Sequence, residues 1–266
     1  MNSFLTEIAF QIQDIAVRPY VYRALWTLDR MNDGTAVMLA ESIRDAFRPA
    51  LSDEEQVHVH NIEAVRRALN GSAETIDMVD YGADPVHGTH IRWSVGEMAL
   101  LSSKPYRWSL LLFFIVERLT PKRCLEFGTC LGISTLYQSA ALELNGEGIL
   151  ITMEGSPTLA ERAKENFTAL NRSNIVSMVG KFSDLLPGVL EEHHPFDYVF
   201  IDGHHEGNAT VRYFEQMLPW LMNNAVLIFD DIHWSSGMKQ AWKRIAAHPR
   251  VKYSVDLYQA GIVIVS

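Results

Sequence analysis

Cysteine is scarce in this chain: Cys124 and Cys130 are the two among 266 residues. Two thiols cannot make a disulfide framework or a four-ligand zinc site, and the chain reads as a protein of a reducing, cytoplasmic setting. Positive charge is also short, with 23 Lys and Arg against 32 Asp and Glu and a formal net charge of -9. That balance argues against a surface built for the phosphates of DNA or RNA, and no basic track stands out. The apolar run Leu110 to Val116 is far too short to span a bilayer and reads as a buried helix, so no membrane partner is expected. A basic start followed by an apolar core and a small-residue cleavage site is missing, so no export signal is expected. The dinucleotide fingerprint G-x-G-x-x-G is absent after the first strand of the repeating region, which counts against a nicotinamide-dependent oxidoreductase. What the chain does have is apolar material: 48% of its residues are hydrophobic, enough to bury a full core.

The first hundred residues read as a helical extension. Phe4, Leu5, Ile8, Ile12 and Ile15 recur at helical spacing, Pro19 is predicted to open a second helix through Trp26, and Asn61 to Leu69 continues as a helix that Gly71 ends. Asp80 to Gly88 is a loop by its glycine and proline content, either a plain linker or a lid. Residues 101–266 form the second unit. There, Arg123–Phe127, Gly148–Met153, Ile175–Val179, Phe196–Ile201 and Ala225–Phe229 read as strands with amphipathic helices between them, the signature of a doubly wound α/β sheet. Val251–Leu257 and Gly261–Val265 follow with only a short turn between them, which means an antiparallel hairpin. The expectation is a Rossmann-like α/β fold: a seven-stranded sheet with an antiparallel C-terminal hairpin, plus the N-terminal helical extension.

The chemistry gathers at strand ends. Cys124 to Thr135 runs from an apolar strand through Glu126 and two glycines, Gly128 and Gly132, into a helix. Glycine lets the backbone pass close to a ligand while the helix offers its N-terminus, and a carboxylate at that mouth suits a cationic guest better than a phosphate. A second acid, Glu154, closes the following strand. The segment resembles motif I of the class I S-adenosylmethionine (SAM)-dependent methyltransferases, E-x-G-x-x-x-G. The five-strand parallel sheet with a terminal hairpin resembles that family too. The resemblance implies that Glu126 and the turn, including Gly128, Thr129 and Gly132, hold the methionine moiety, that Ser134 and Thr135 reach its carboxylate, and that Glu154 with Gly155 meets the ribose. It also places an adenine contact after the third strand of the sheet. Lys181 departs from the small or acidic residue usual there, and Phe182 is left to pack on the adenine face.

Asp202 ends the fourth strand of the sheet and Asp230 and Asp231 end the fifth, so three carboxylates converge at one edge of the cleft. Buried like charges need a cation or shared protons, and all-oxygen ligation suits Mg²⁺. The interval resembles that of metal-dependent O-methyltransferases of the catechol type and of sugar O-methyltransferases, which implies a metal at Asp202, Asp230 and Asp231 gripping the acceptor oxygens. The alternative is that these acids cap strand ends, line the SAM pocket or cap a helix. His205 stands where the catechol-type enzymes carry a lysine base, and His204 where some sugar enzymes carry an acid. A neutral imidazole takes a proton near neutral pH, which makes His205 the first candidate base and His204 the second. His193 and His194 are expected in solvent, and His233 and Trp234 on the acceptor pocket. The phrases I-D-G-x-H and F-D-D-I-H-W-S resemble a little-characterised bacterial group of class I methyltransferases.

The reading is a SAM-dependent methyltransferase acting on a hydroxyl of a small-molecule acceptor, with Mg²⁺ assistance. A metal-free N- or O-methyltransferase using a histidine base and a SAM-binding protein without activity are the alternatives. The amphipathic N-terminal helices fit a cover over the acceptor site and a homodimer contact equally well.

Overall fold

The computed structural model describes the backbone of residues 3–81 and 87–266, and within those ranges the side chains from residue 16 onward. The Phe4 to Ile15 periodicity therefore lies outside the described side chains, and positions 82–86 of the Gly–Pro loop outside the described residues.

The chain opens with α1 (Ser3–Leu28), α2 (Gly34–Phe47) and α3 (Asp53–Asn70). Pro19 lies inside α1 and does not begin a new helix. Val17 on one side of it and Val21, Ala24 and Leu28 on the other are buried in the same core, so packing holds the helix continuous across the missing amide hydrogen. Asp33 caps α2 by accepting from the Thr35 and Ala36 amides, and Ser52 with Glu55 forms a capping box on α3.

Next come β1 (Thr75–Asp80) and β2 (Thr89–Ser94), an antiparallel pair in register from Thr75↔Ser94 to Asp80↔Thr89. The stretch expected as linker or lid lies in sequence between these two paired strands. The Val79 amide donates to Ser156 Oγ at 3.3 Å, which docks β1 on the turn after a later strand. The helices α4 (Val95–Ser102) and α5 (Tyr106–Leu119) follow, and the apolar run Leu110–Val116 is fully buried in α5, as expected.

Alternation then begins: β3 (Arg123–Phe127), α6 (Ile133–Leu144), β4 (Ile149–Glu154), α7 (Pro157–Ala169), β5 (Ile175–Val179), α8 (Phe182–His193), β6 (Phe196–Ile201), α9 (Gly207–Met217), β7 (Leu221–Asp230), α10 (Ser236–Ala246), β8 (Val251–Asp256) and β9 (Ala260–Val265). The sheet order is β5-β4-β3-β6-β7-β9-β8, with β9 antiparallel to both β7 and β8 and the other pairs parallel. This is the doubly wound seven-stranded sheet with an antiparallel terminal hairpin that the sequence predicts.

Strands buried on both faces read as near-continuous apolar runs, and their period of two sorts the side chains into two layers. Cys124, Leu150, Tyr198, Phe200, Val226 and Ile228 face a core that takes in α2, α5 and α6. Leu125, Phe127, Ile151, Val199, Ile201 and Leu227 face the opposite core, with α8, α9 and α10. The first core runs without a break from Val17 to Ile264, so the N-terminal helices share it with the sheet, and the boundary expected after residue 100 falls within α4. The order of strands reverses between β3 and β6, and in open sheets the crevice outside that reversal takes the ligand. No helix among the described residues is long and apolar enough to cross a membrane.

Candidate active site

The tips of β3 and β6 touch at the reversal. The Asp202 amide donates to the Phe127 carbonyl at 3.0 Å, and Gly128 turns away at φ 90°. A Cβ at position 128 would overlap the Asp202 carbonyl, so both the backbone angle and the space require glycine there. Above this junction opens a cavity of about 990 Å³ whose wall includes Gly128, Glu154, Gly155, Phe182, Asp202, His204, His205, Asp230 and Asp231. Most of the candidate residues are thus brought to one place.

Glu126 is the departure. Its carboxylate is fully buried behind the turn, and its oxygens are taken by protein donors: Ser134 Oγ at 2.8 Å and Gln138 Nε2 at 2.7 Å on Oε1, Thr135 Oγ1 at 2.5 Å and Thr152 Oγ1 at 2.7 Å on Oε2. Thr129 joins the same network through Thr152 at 2.6 Å. Burial raises the Glu126 pKa against the pull of those four donors. Glu126, Thr129, Gly132 and Ser134 do not reach the cavity wall. In this structure they set the shape of the turn and the start of α6, where the resemblance had them touching the cofactor.

Glu154 stays at the wall. Its oxygens accept from the Cys130 amide at 2.8 Å and the Ser156 amide at 2.9 Å, which leaves acceptor positions turned to the cavity for a pair of hydroxyls. Burial raises its pKa despite those amide donors. The adjoining Gly155 lies under the ring of Tyr81, close enough that a Cβ there would come within 2.8 Å of it, and Lys181 Nζ stands 5.1 Å from the centre of that ring. Lys181 thus stands beside the tyrosine that follows β1. Phe182 packs edge-on against Phe127, with ring centres 5.4 Å apart, and shows its other side to the cavity.

The three aspartates do converge, but two of them close on a lysine. Lys104, in the link between α4 and α5, makes ion pairs with Asp202 Oδ2 at 3.0 Å and with Asp230 Oδ2. Burial works against its charge, yet the Asp202 and Asp230 carboxylates overcome this and hold the ammonium above the ordinary lysine value. Burial raises Asp230 to about 6 in spite of Lys104, and raises Asp231 with help from the neighbouring Asp230 charge. His205 Nε2 lies 3.8 Å from Asp202 Oδ1 and 3.8 Å from Asp231 Oδ2, between two carboxylates on the cavity wall. His204, at φ 52°, turns aside to pair its Nδ1 with the Tyr213 hydroxyl at 2.9 Å, and burial lowers its pKa.

This donor set does not fit the expected Mg²⁺. A divalent ion needs carboxylate oxygens aimed at a common vacant point, whereas here the inner oxygens of Asp202 and Asp230 are aimed at an ammonium. An ion placed about 4 Å from that charge would be repelled by roughly 8 kcal/mol at the effective dielectric of a protein site. Among the described residues no cluster of three or more His, Cys, Asp or Glu side chains is arranged to hold a metal.

One histidine expectation also changes. His233 leaves the pocket: its Nε2 pairs with Asp256 at 3.0 Å, and its ring stacks on Tyr258 and meets the edge of Tyr20. His194 is exposed, as expected, with its ring 4.8 Å from that of Trp220. Trp234 does line the cavity, 74% exposed at its mouth with Leu100 and Leu101. Lys104 is the functional residue that sequence reasoning missed. One signal was present, since a cation just ahead of a helix start opposes the helix dipole unless acids answer it.

A model of a methyltransferase domain matches residues 125–232. A catechol O-methyltransferase of Niastella koreensis is 29% identical over 161 residues, which is 59% of this chain and 69% of that protein. Among solved structures, the O-methyltransferase from Bacillus cereus in complex with SAH superposes with a TM-score of 0.59 at 20% identity, covering 85% of this chain and 97% of the other. The O-methyltransferase TomG from Streptomyces achromogenes, in complex with SAM, gives 0.54 at 22% identity over 62% of this chain and 82% of its own. Sheet order, cleft and these likenesses together support a class I SAM-dependent methyltransferase related to the O-methyltransferases. The glycine approach at Gly128, the Glu154 carboxylate and the size of the cavity fit SAM, the ligand of the TomG structure.

Proposed function

We propose that the chain methylates a hydroxyl of a small-molecule acceptor, with His205 as the base. The observation that carries this is the position of His205 on the cavity wall between Asp202 and Asp231. When bound, SAM supplies a methyl group activated by its sulfonium charge. Glu154, Gly155, Gly128 and Phe182 are the residues that would hold it. His205 Nε2 takes the acceptor proton, and the two carboxylates at 3.8 Å stabilise the imidazolium that results. Such a step depends on alignment, and walls that hold the acceptor still supply much of the rate.

The relative from Niastella koreensis is named for catechol, and Leu100, Leu101 and Trp234 at the mouth offer apolar faces to a ring. Both support an aromatic hydroxyl acceptor. The test is a panel of catechols, simple phenols, sugars and aromatic amines with methyl-labelled SAM. Product from the phenolic members is expected, and His205→Gln is expected to lose about 10²–10⁴ of the rate with SAM affinity unchanged by calorimetry. Methylation confined to amines, or full activity in His205→Gln, would overturn the proposal.

A further inference from the structure

We infer that Lys104 is the resident cation of the acceptor site, so that the carboxylate cluster of this chain takes no divalent ion. The argument starts from how the lysine is held. Its carbonyl accepts from Arg66 Nη1 at 2.8 Å and from Ser109 Oγ at 3.0 Å, so the backbone of the link is clamped from α3 and from α5. Arg66 is itself fixed by Glu63 at 2.8 Å, and Glu63 accepts from the Tyr137 hydroxyl of α6 at 2.8 Å. A continuous set of hydrogen bonds therefore runs from a helix of the sheet domain to the main chain of residue 104.

The side chain is equally determined. It is 12% exposed, passes within 5.8 Å of the Phe200 ring centre, and delivers its ammonium between the ends of β6 and β7. A surface lysine keeps its rotamer freedom; this one has given it up, which marks a charge placed in advance. An ammonium has three N–H donors. Two are engaged by Asp202 and Asp230, and Lys104 borders the cavity, so its remaining donor is positioned for the acceptor oxygen, beside the face where His205 stands. One fixed positive charge thereby balances the buried carboxylates and presents a donor to the acceptor.

The inference goes beyond the proposed methylation and is tested without an acceptor, so either can fail alone. Full-length protein is stripped with chelator and titrated with Mn²⁺ while the paramagnetic resonance signal of the free ion is recorded. Wild type is expected to leave Mn²⁺ free, Lys104→Met to take up about one equivalent, and Lys104→Met combined with Asp230→Asn to lose that uptake. SAM calorimetry on each variant establishes that the cofactor site is intact. If Lys104→Met does not fold, Lys104→Arg keeps the charge and is expected to exclude Mn²⁺ as wild type does. Uptake by wild type that Asp230→Asn abolishes would overturn the inference, as would uptake by Lys104→Arg or a folded Lys104→Met that takes up no Mn²⁺.

Discussion

The two glycines of the turn after β3 look alike in sequence and should behave differently when given a side chain. Both adopt positive φ, 90° at Gly128 and 83° at Gly132, so alanine costs about 1–2 kcal/mol at either position from backbone strain alone. What the new Cβ meets then separates them. At 128 it meets the Asp202 carbonyl, a backbone atom that cannot swing aside, so the tips of β3 and β6 must part. Parting them weakens the 3.0 Å bond from the Asp202 amide to Phe127, worth about 1 kcal/mol more. Gly128→Ala should therefore destabilise the fold by about 2–4 kcal/mol. It should also weaken SAM binding at least about tenfold, because Gly128 and Asp202 both form the cavity wall. At 132 the Cβ comes within 2.5 Å of the Phe167 ring edge, which can shift within its own layer, and Gly132 is off the wall. Gly132→Ala should lose about 1–3 kcal/mol of stability and keep SAM affinity within about twofold. Urea unfolding gives the first quantity and calorimetry the second. Equal loss of SAM affinity in both variants, or wild-type stability in Gly128→Ala, would refute the reasoning.

Two further predictions concern the histidines. Burial holds the His204 pKa below its ordinary value of 6.5, so the unfolded state gains a proton that the folded state resists, and stability falls as pH drops through 6.5 toward the folded value. His204→Asn tolerates the left-handed backbone and removes this component; urea midpoints between pH 5 and pH 7 should therefore change less in the variant than in wild type. His233, bonded to Asp256 and stacked on Tyr258 with Tyr20 of α1 against it, is a fastening between α1 and the β8–β9 turn. His233→Ala should cost about 1–3 kcal/mol in urea unfolding with no change in SAM affinity, and a loss of SAM binding would contradict its place outside the pocket.

The sheet was legible because its central strands are buried on both faces and even the half-buried β5 is mostly apolar along its length. β3, β5 and β6 begin and end where their apolar runs do. β7 starts four residues earlier than its apolar run because Leu221 pairs with Phe196, while Met222, Asn223 and Asn224 lie exposed in the register shift before Val226, where hydrophobicity carries no signal. β1 and β2 were illegible for a related reason: their faces are mostly half-buried or exposed, and pairing holds them without an apolar alternation. Glu126 shows a different boundary. A carboxylate before a glycine turn looks the same whether it faces a ligand or four hydroxyl and amide donors, and those donors come from β4 and α6, which sequence spacing does not aim at it. The aspartates and His205 were legible because each follows a recognisable strand, and strand ends on one edge of a parallel sheet must meet.

Lys104 differs from all of these, since it lies 126 residues before Asp230 and outside residues 125–232, which the methyltransferase-domain model matches. Its partners follow from the sheet, but its own position follows from α3, through Arg66 and Glu63. The same layer supplies Tyr81 above Gly155 and Leu100 and Leu101 at the mouth. The methyltransferase sheet thus provides the cofactor cleft and the acids. The cation that sits among those acids and most of the apolar rim come from residues that precede the sheet. A boundary at residue 100 would keep Lys104 and discard the arginine that fixes its carbonyl, so residues ahead of the sheet help to build the cavity wall on which Asp202, Asp230 and His205 meet.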